Sequence, residues 1–132
     1  MKVSAPEDIL ASKINRLICH SQKYGISPEK IDLGELKRER EIIEAKRKEL
    51  YLDYDRSMRK KNYSVSPERL ASLRSNKDVY DIMVLDMSTN LDYQRLYNAL
   101  VLWDIPNKLK KDKNLKTEIF EVTPEVVKKL VN

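Results

Sequence analysis

The residues best equipped for chemistry are few. His20 and Cys19 are the chain's one histidine and one cysteine, and they are neighbours in sequence. Adjacent residues on a helix point roughly a third of a turn apart, so this pair forms neither a nucleophile–base dyad nor a chelate for a single ion. Cys19 reads as a small core or boundary residue and His20 as a surface one. One histidine and one cysteine also exclude the usual zinc ligand sets and any intrachain disulfide. Gly25 and Gly34 stand alone, so there is no glycine-rich loop to cradle a phosphate. The acidic residues are spaced as solvated helix faces, which leaves a carboxylate-only site as the remaining metal option. The expectation is a protein without catalytic residues, resident metal or cofactor, and not an enzyme.

Positive charge is the chemistry that the sequence does offer. Lysine and arginine exceed aspartate and glutamate by 26 to 21, a net charge of +5. The excess is uneven. Arg56, Arg59, Lys60 and Lys61 cluster beside Tyr63, and Lys108, Lys110, Lys111, Lys113 and Lys116 form a second cluster. Between them Asp78, Asp81, Asp86, Asp92 and Asp104 make an acidic stretch. Cations at a helix end also complement the helix dipole, a purely structural role. The functional reading is phosphate binding through both clusters, with Tyr63 stacking on a base. A helix-turn-helix over residues 67–86 is disfavoured, because the helix that would enter the groove carries Asp78, Asp81 and Asp86, which phosphates repel.

Helices must position these groups. With 36% charged residues, two glycines and five prolines, the composition suits solvated helices better than a β sandwich, and 41% apolar residues are too many for full disorder. The length of 132 residues fits one modest core. Ser27-Pro28-Glu29, Ser66-Pro67-Glu68 and Thr123-Pro124-Glu125 share one pattern, and Ser4-Ala5-Pro6-Glu7 is a looser case. Ser or Thr caps, Pro occupies the first helical position where its missing N–H is harmless, and Glu favours the dipole. Phosphorylation at the Ser-Pro steps is the functional alternative.

A first helix is expected over residues 6–23, with Leu10, Ile14, Leu17 and Ile18 on one face and Gly25 as its stop. Asp32-Leu33-Gly34-Glu35 reads as a capping box, stapled by Ile31 and Leu36, that opens a long helix over about residues 33–61. Residues 37–41 carry no apolar side chain, and Leu36, Ile43 and Leu50 make only a narrow heptad seam, extended by Tyr54 and Met58. That suits a charged helix projecting from a small core or packing in an oligomer. A short helix over residues 67–74 is followed by a new start at Ser75-Asn76-Lys77-Asp78. The next helix bears Tyr80, Val84, Met87 and Leu91, with a break at residues 88–90. Tyr93, Leu96, Tyr97, Leu100 and Trp103 then supply core up to Pro106, which ends the segment. Residues 107–116 read as a basic linker. Residues 117–122 read as a short strand or as loop; a lone strand is unstable, so a strand here needs another copy as its partner. A short helix closes residues 124–131.

One family resemblance lies in this pattern. Ile43-Glu44-Ala45-Lys46-Arg47-Lys48, then Leu52-Asp53-Tyr54, then Lys77-Asp78-Val79 opening a further helix, resemble the UvsY family of phage recombination mediators. The resemblance implies an oligomeric protein that binds single-stranded DNA and helps load a RecA-like recombinase, with DNA contacts at Lys46, Arg47 and Lys48. It covers under half of the chain. The connection between the long helix and Lys77 is shorter than the family's, and Pro106 and the Thr123-Pro124-Glu125 tail depart from its C-terminal part.

Together these readings predict an all-α, small helical bundle with one long projecting charged helix and a short C-terminal strand as an option. Residues 1–106 would be a helical domain, and residues 107–132 a basic linker with a short helix. The expected role is a non-enzymatic accessory protein, homo-oligomeric, that binds nucleic acid or a nucleoprotein partner through non-specific phosphate contacts, single strands above sequence-specific duplex. The candidate contacts are Lys46, Arg47, Lys48, Arg56, Arg59, Lys60, Lys61, Tyr63, Lys108, Lys110, Lys111 and Lys113. The alternative is a protein-binding assembly subunit, adaptor or inhibitor, using the acidic face of Asp78, Asp81 and Asp86 and the Tyr/Leu stripe. No apolar run reaches membrane-spanning length and residues 1–7 lack a signal-peptide pattern, so a cytoplasmic setting is expected, the host cytoplasm if the chain is viral.

Overall fold

The computed structural model describes residues 5–28, 40–59, 65–88 and 90–132. Within them lie seven helices: α1 (Pro6–Tyr24), α2 (Arg40–Arg59), α3 (Pro67–Ser88), α4 (Tyr93–Leu102), α5 (Ile105–Lys111), α6 (Lys113–Val122) and α7 (Glu125–Val131). They pack as an all-α bundle with no strand among the described residues. The Asp32–Glu35 box, its Ile31 and Leu36 staple, and most of the 37–41 stretch lie outside the described residues.

Helix α1 forms as its pattern dictates. Pro6 sits in the first turn beside Glu7 and Asp8, where a missing N–H and negative charge are both tolerated. Leu10, Ile14, Leu17 and Ile18 are buried to 1% exposure or less; burying each contributes roughly 1.5–3 kcal/mol. Gly25 ends the helix in the left-handed region at φ 66°, donating its N–H to Ser21 O. Glu7 is buried, and its Oε1 accepts the backbone N–H of Asp92 at 3.1 Å, tying the start of α1 to the start of α4.

Helix α3 departs from the expected two pieces. It runs unbroken through the supposed cap at residues 75–78, because Ser75 and Asp78 are drawn into the interior instead of capping. Residues 78–83 are all buried. A helix covered on one side only shows a single apolar stripe, whereas α3 packs on both α1 and α2. This explains why Val79, Ile82 and Met83 join Tyr80 in the core outside the expected face, while Val84, Met87 and Leu91 are only partly buried. The break near residue 88 is present: α3 ends at Ser88, and α4 starts after Asp92, whose side chain accepts the N–H of Arg95.

Helix α2, over its described length, does not project. Ile43 and Leu50 are buried, Tyr54 is half-buried and Met58 is exposed. Of the expected seam, Ile43, Leu50 and Tyr54 pack inward, Met58 does not, and Leu36 lies outside the described residues; α2 lies along α3 and is reinforced by polar contacts that a hydrophobic pattern does not report.

The C-terminal part differs most from expectation. Leu96 and Leu100 are buried as expected, yet Tyr93, Tyr97 and Trp103 are 58%, 39% and 41% exposed. Pro106 does not end α4, which stops at Leu102; Asp104 turns the chain at φ 57° and Pro106 enters the first turn of α5, where proline is accommodated. The expected basic linker is helix α5 and the start of α6, separated by Asp112, whose Oδ1 accepts the N–H of Leu115 at 3.0 Å. The strand reading of residues 117–122 is overturned, since Leu115, Ile119 and Val122 recur at helical spacing and are buried on one face of α6. Ser66 caps α3 as read, accepting the N–H of Arg69 at 3.1 Å. Thr123 does not cap: it is fully buried, its hydroxyl finds no hydrogen-bond partner, and α7 starts at Glu125.

Candidate nucleic-acid interface

Two carboxylates inside the bundle organise the surrounding charge. Asp78 and Asp81 lie one turn apart on α3, 0% and 3% exposed. Arg16 from α1 grips Asp78 with two parallel bonds of 2.6 Å, from Nε and a terminal nitrogen. Asp81 accepts from Lys13 of α1 at 2.9 Å, from Arg47 Nε of α2 at 2.5 Å and from Lys77 of α3 at 2.8 Å. Buried carboxylates persist only when paired in this way. The acidic face expected to serve a partner is therefore interior at Asp78 and Asp81, and it binds cations of its own chain.

The titration behaviour follows from this geometry. Burial works to raise the pKa of Asp81, but the hydrogen bonds from Lys77, Lys13 and Arg47 together hold it below the ordinary carboxylate value. Burial likewise opposes the charge on Arg16, and the Asp78 bond overcomes it and raises the guanidinium pKa. His20 and Cys19 exchange their expected places. Cys19 is exposed, while His20 is half-buried with Nδ1 3.1 Å from Ser75 Oγ, and burial lowers its pKa.

The cluster holds more positive than negative charge. Among the described residues, Lys13, Arg16, Arg47 and Lys77 pair with Asp78 and Asp81, four cations to two carboxylates. Arg47 and Lys77 also line an open cleft of about 370 Å³ between α2 and α3, together with Lys48, Tyr51 and Leu52. Arg47 keeps nearly half of its side-chain exposure, and one of its five N–H donors is given to Asp81. Tyr51 and Leu52 are about half exposed.

The other candidate contacts are scattered. Lys46 lies 3.9 Å from Glu49, Arg56 4.0 Å from Asp53, and Arg59 3.0 Å from Asp55, pairs along α2 in which at least one partner is exposed. Such pairs are weak and leave the cations available to other anions. Lys60, Lys61 and Tyr63 lie outside the described residues. Lys108 is turned inward to Asn15 Oδ1 at 2.9 Å, whereas Lys110, Lys111 and Lys113 are exposed. The structure thus gathers Arg47 and Lys48 with Lys77 and Tyr51, two residues that sequence reasoning did not select. Their signal was faint: they stand 26 residues apart, and only the packing of α2 on α3 joins them.

Among the described residues no group of three or more His, Cys, Asp or Glu side chains is arranged to hold a metal ion, and no helix is long and apolar enough to cross a membrane. No family model, curated protein or solved structure matches the chain.

Proposed function

We propose that this chain is a non-enzymatic accessory protein that binds nucleic acid through its phosphates, without base-pair specificity, and works as a homo-oligomer within a nucleoprotein assembly. The observation that carries this reading is the cation excess at the α2–α3 cleft, where the exposed Arg47 and Lys48 meet Lys77, whose side chain is 15% exposed. Asp81 fixes Arg47 and Lys77 without neutralising the group as a whole, so the cleft presents positioned donors to an anion. Lys110, Lys111 and Lys113 extend the basic surface elsewhere. The resemblance to phage recombination mediators supports the same reading, because its implied contacts include Arg47 and Lys48.

A salt titration tests this. Affinity for a labelled oligonucleotide should fall steeply between about 50 and 200 mM salt. Lys48→Glu should weaken binding at every salt concentration and flatten the slope. Absence of binding at low salt sinks the proposal.

A second reading, a protein-binding module, is favoured by helix α4. Tyr93, Tyr97, Val101, Leu102 and Trp103 are all exposed there, and Leu102 is 84% exposed. Leu102→Glu would abolish a protein contact through this face and leave nucleic-acid affinity unchanged.

A further inference from the structure

We infer that the α2–α3 seam is a stacking site for unpaired bases, with Tyr51 as its platform and Arg47, Lys48 and Lys77 as the phosphate clamp; this rests on the phosphate-binding reading above. The seam is built in register. Arg47 meets Asp81, Tyr51 meets Lys77 and Tyr54 meets Arg74, so each step forward along α2 is matched by an equal step back along α3. The two helices are thus antiparallel here, and the polar contacts form a row of rungs. Lys77 Nζ stands 5.6 Å from the Tyr51 ring centroid, and the Arg74 guanidinium 5.3 Å from that of Tyr54, both within cation–π range. Arg74 also donates to the Tyr54 hydroxyl at 3.0 Å, which fixes that ring.

Tyr51 is the rung open to a ligand. The residue is 52% exposed and lines the cleft, with Lys77 over its ring and the apolar Leu52 also lining the cleft. A flat, electron-rich ring held by a cation, next to an apolar wall and two further cations, matches the two halves of a nucleotide: a π face and a phosphate. A cleft of about 370 Å³ falls in the range that accommodates one small organic unit. The next rung, Tyr54 with Arg74, lies one turn along α2, about 4.5 Å away by helix rise, and is half-buried, so it braces the seam beside the open ring. A paired duplex cannot offer base faces to this row, so the site selects single strands.

The test uses the whole chain and three fluorescein-labelled probes: oligo-dT, an abasic strand of equal length, and a duplex. Oligo-dT should bind most tightly. Tyr51→Ala should weaken oligo-dT binding about tenfold, within the range for removing one base–aromatic stack, and leave the abasic strand unaffected. Tyr51→Phe, which keeps the ring, should bind oligo-dT as the parent chain does. If oligo-dT and abasic strands bind equally and Tyr51→Ala changes neither, the stacking site is refuted and phosphate binding stands. If no probe binds at low salt, both fail together.

Discussion

Asp81 takes hydrogen bonds from three cations supplied by three different helices, and it reaches them from a position that solvent does not. Removing its charge would leave Lys13, Arg47 and Lys77 facing one another across a partly dry space. Asp81→Asn should therefore destabilise the fold by about 3 kcal/mol, the lower end for breaking a buried ionic cluster, read as a lower urea midpoint. The pH dependence has two steps of one sign. His20 has its pKa lowered by burial, so the unfolded chain binds the extra proton first and stability falls as pH drops below about 6.5. Asp81 has its pKa lowered by its partners, so its contribution is complete above the ordinary carboxylate value and is lost as pH falls through the depressed one. Urea midpoints measured from pH 8 to pH 3 should decline in that order, and His20→Gln should remove the earlier step alone.

At the scale of the element, the Ser/Thr-Pro-Glu grammar proves to be two devices. Ser66 does what the pattern says, giving its oxygen to the N–H of Arg69. Ser66→Ala should reduce stability by about 1 kcal/mol. Thr123 has the same neighbours, but its hydroxyl is buried without a partner in the angle between α6 and α7. Thr123→Val keeps the shape and removes an unpaired polar group, so it should be neutral or stabilising. Thermal melts of the two variants side by side distinguish cap from filler. Gly25 is required for its backbone alone: its φ is 66° and a Cβ there would meet nothing within 4 Å. Gly25→Ala should thus be destabilising by about 1–2 kcal/mol with no repacking.

For the molecule as a whole, α3 is the element that joins α1 to α2, while α1 carries α4 and α6. Helix α3 packs on both α1 and α2, and its two buried carboxylates join those helices by charge as well as by contact. A helix with core on two sides has no single apolar stripe, which is why residues 67–88 read as two pieces. Much was nevertheless legible. The stripe of α1, its Gly25 stop, the Ser66 cap, the break after Ser88 and the all-α class follow from local propensity and one-sided periodicity, and these act between residues a few positions apart. Apart from Lys77, four residues before Asp81, the partners of Asp78 and Asp81 were not legible, since Lys13, Arg16 and Arg47 are 34 to 68 residues distant from them in the chain. Nor was the helical state of residues 117–122, whose short apolar run fits a strand until Leu115 completes its face against α1. The lone Cys–His pair, the solitary glycines and the surplus of lysine and arginine are properties of the sequence by itself. Which cations stay exposed, which are spent on buried carboxylates, and that Tyr51 stands over Lys77 at a cleft are decided only by tertiary packing, because charge has no address until the helices bring it together.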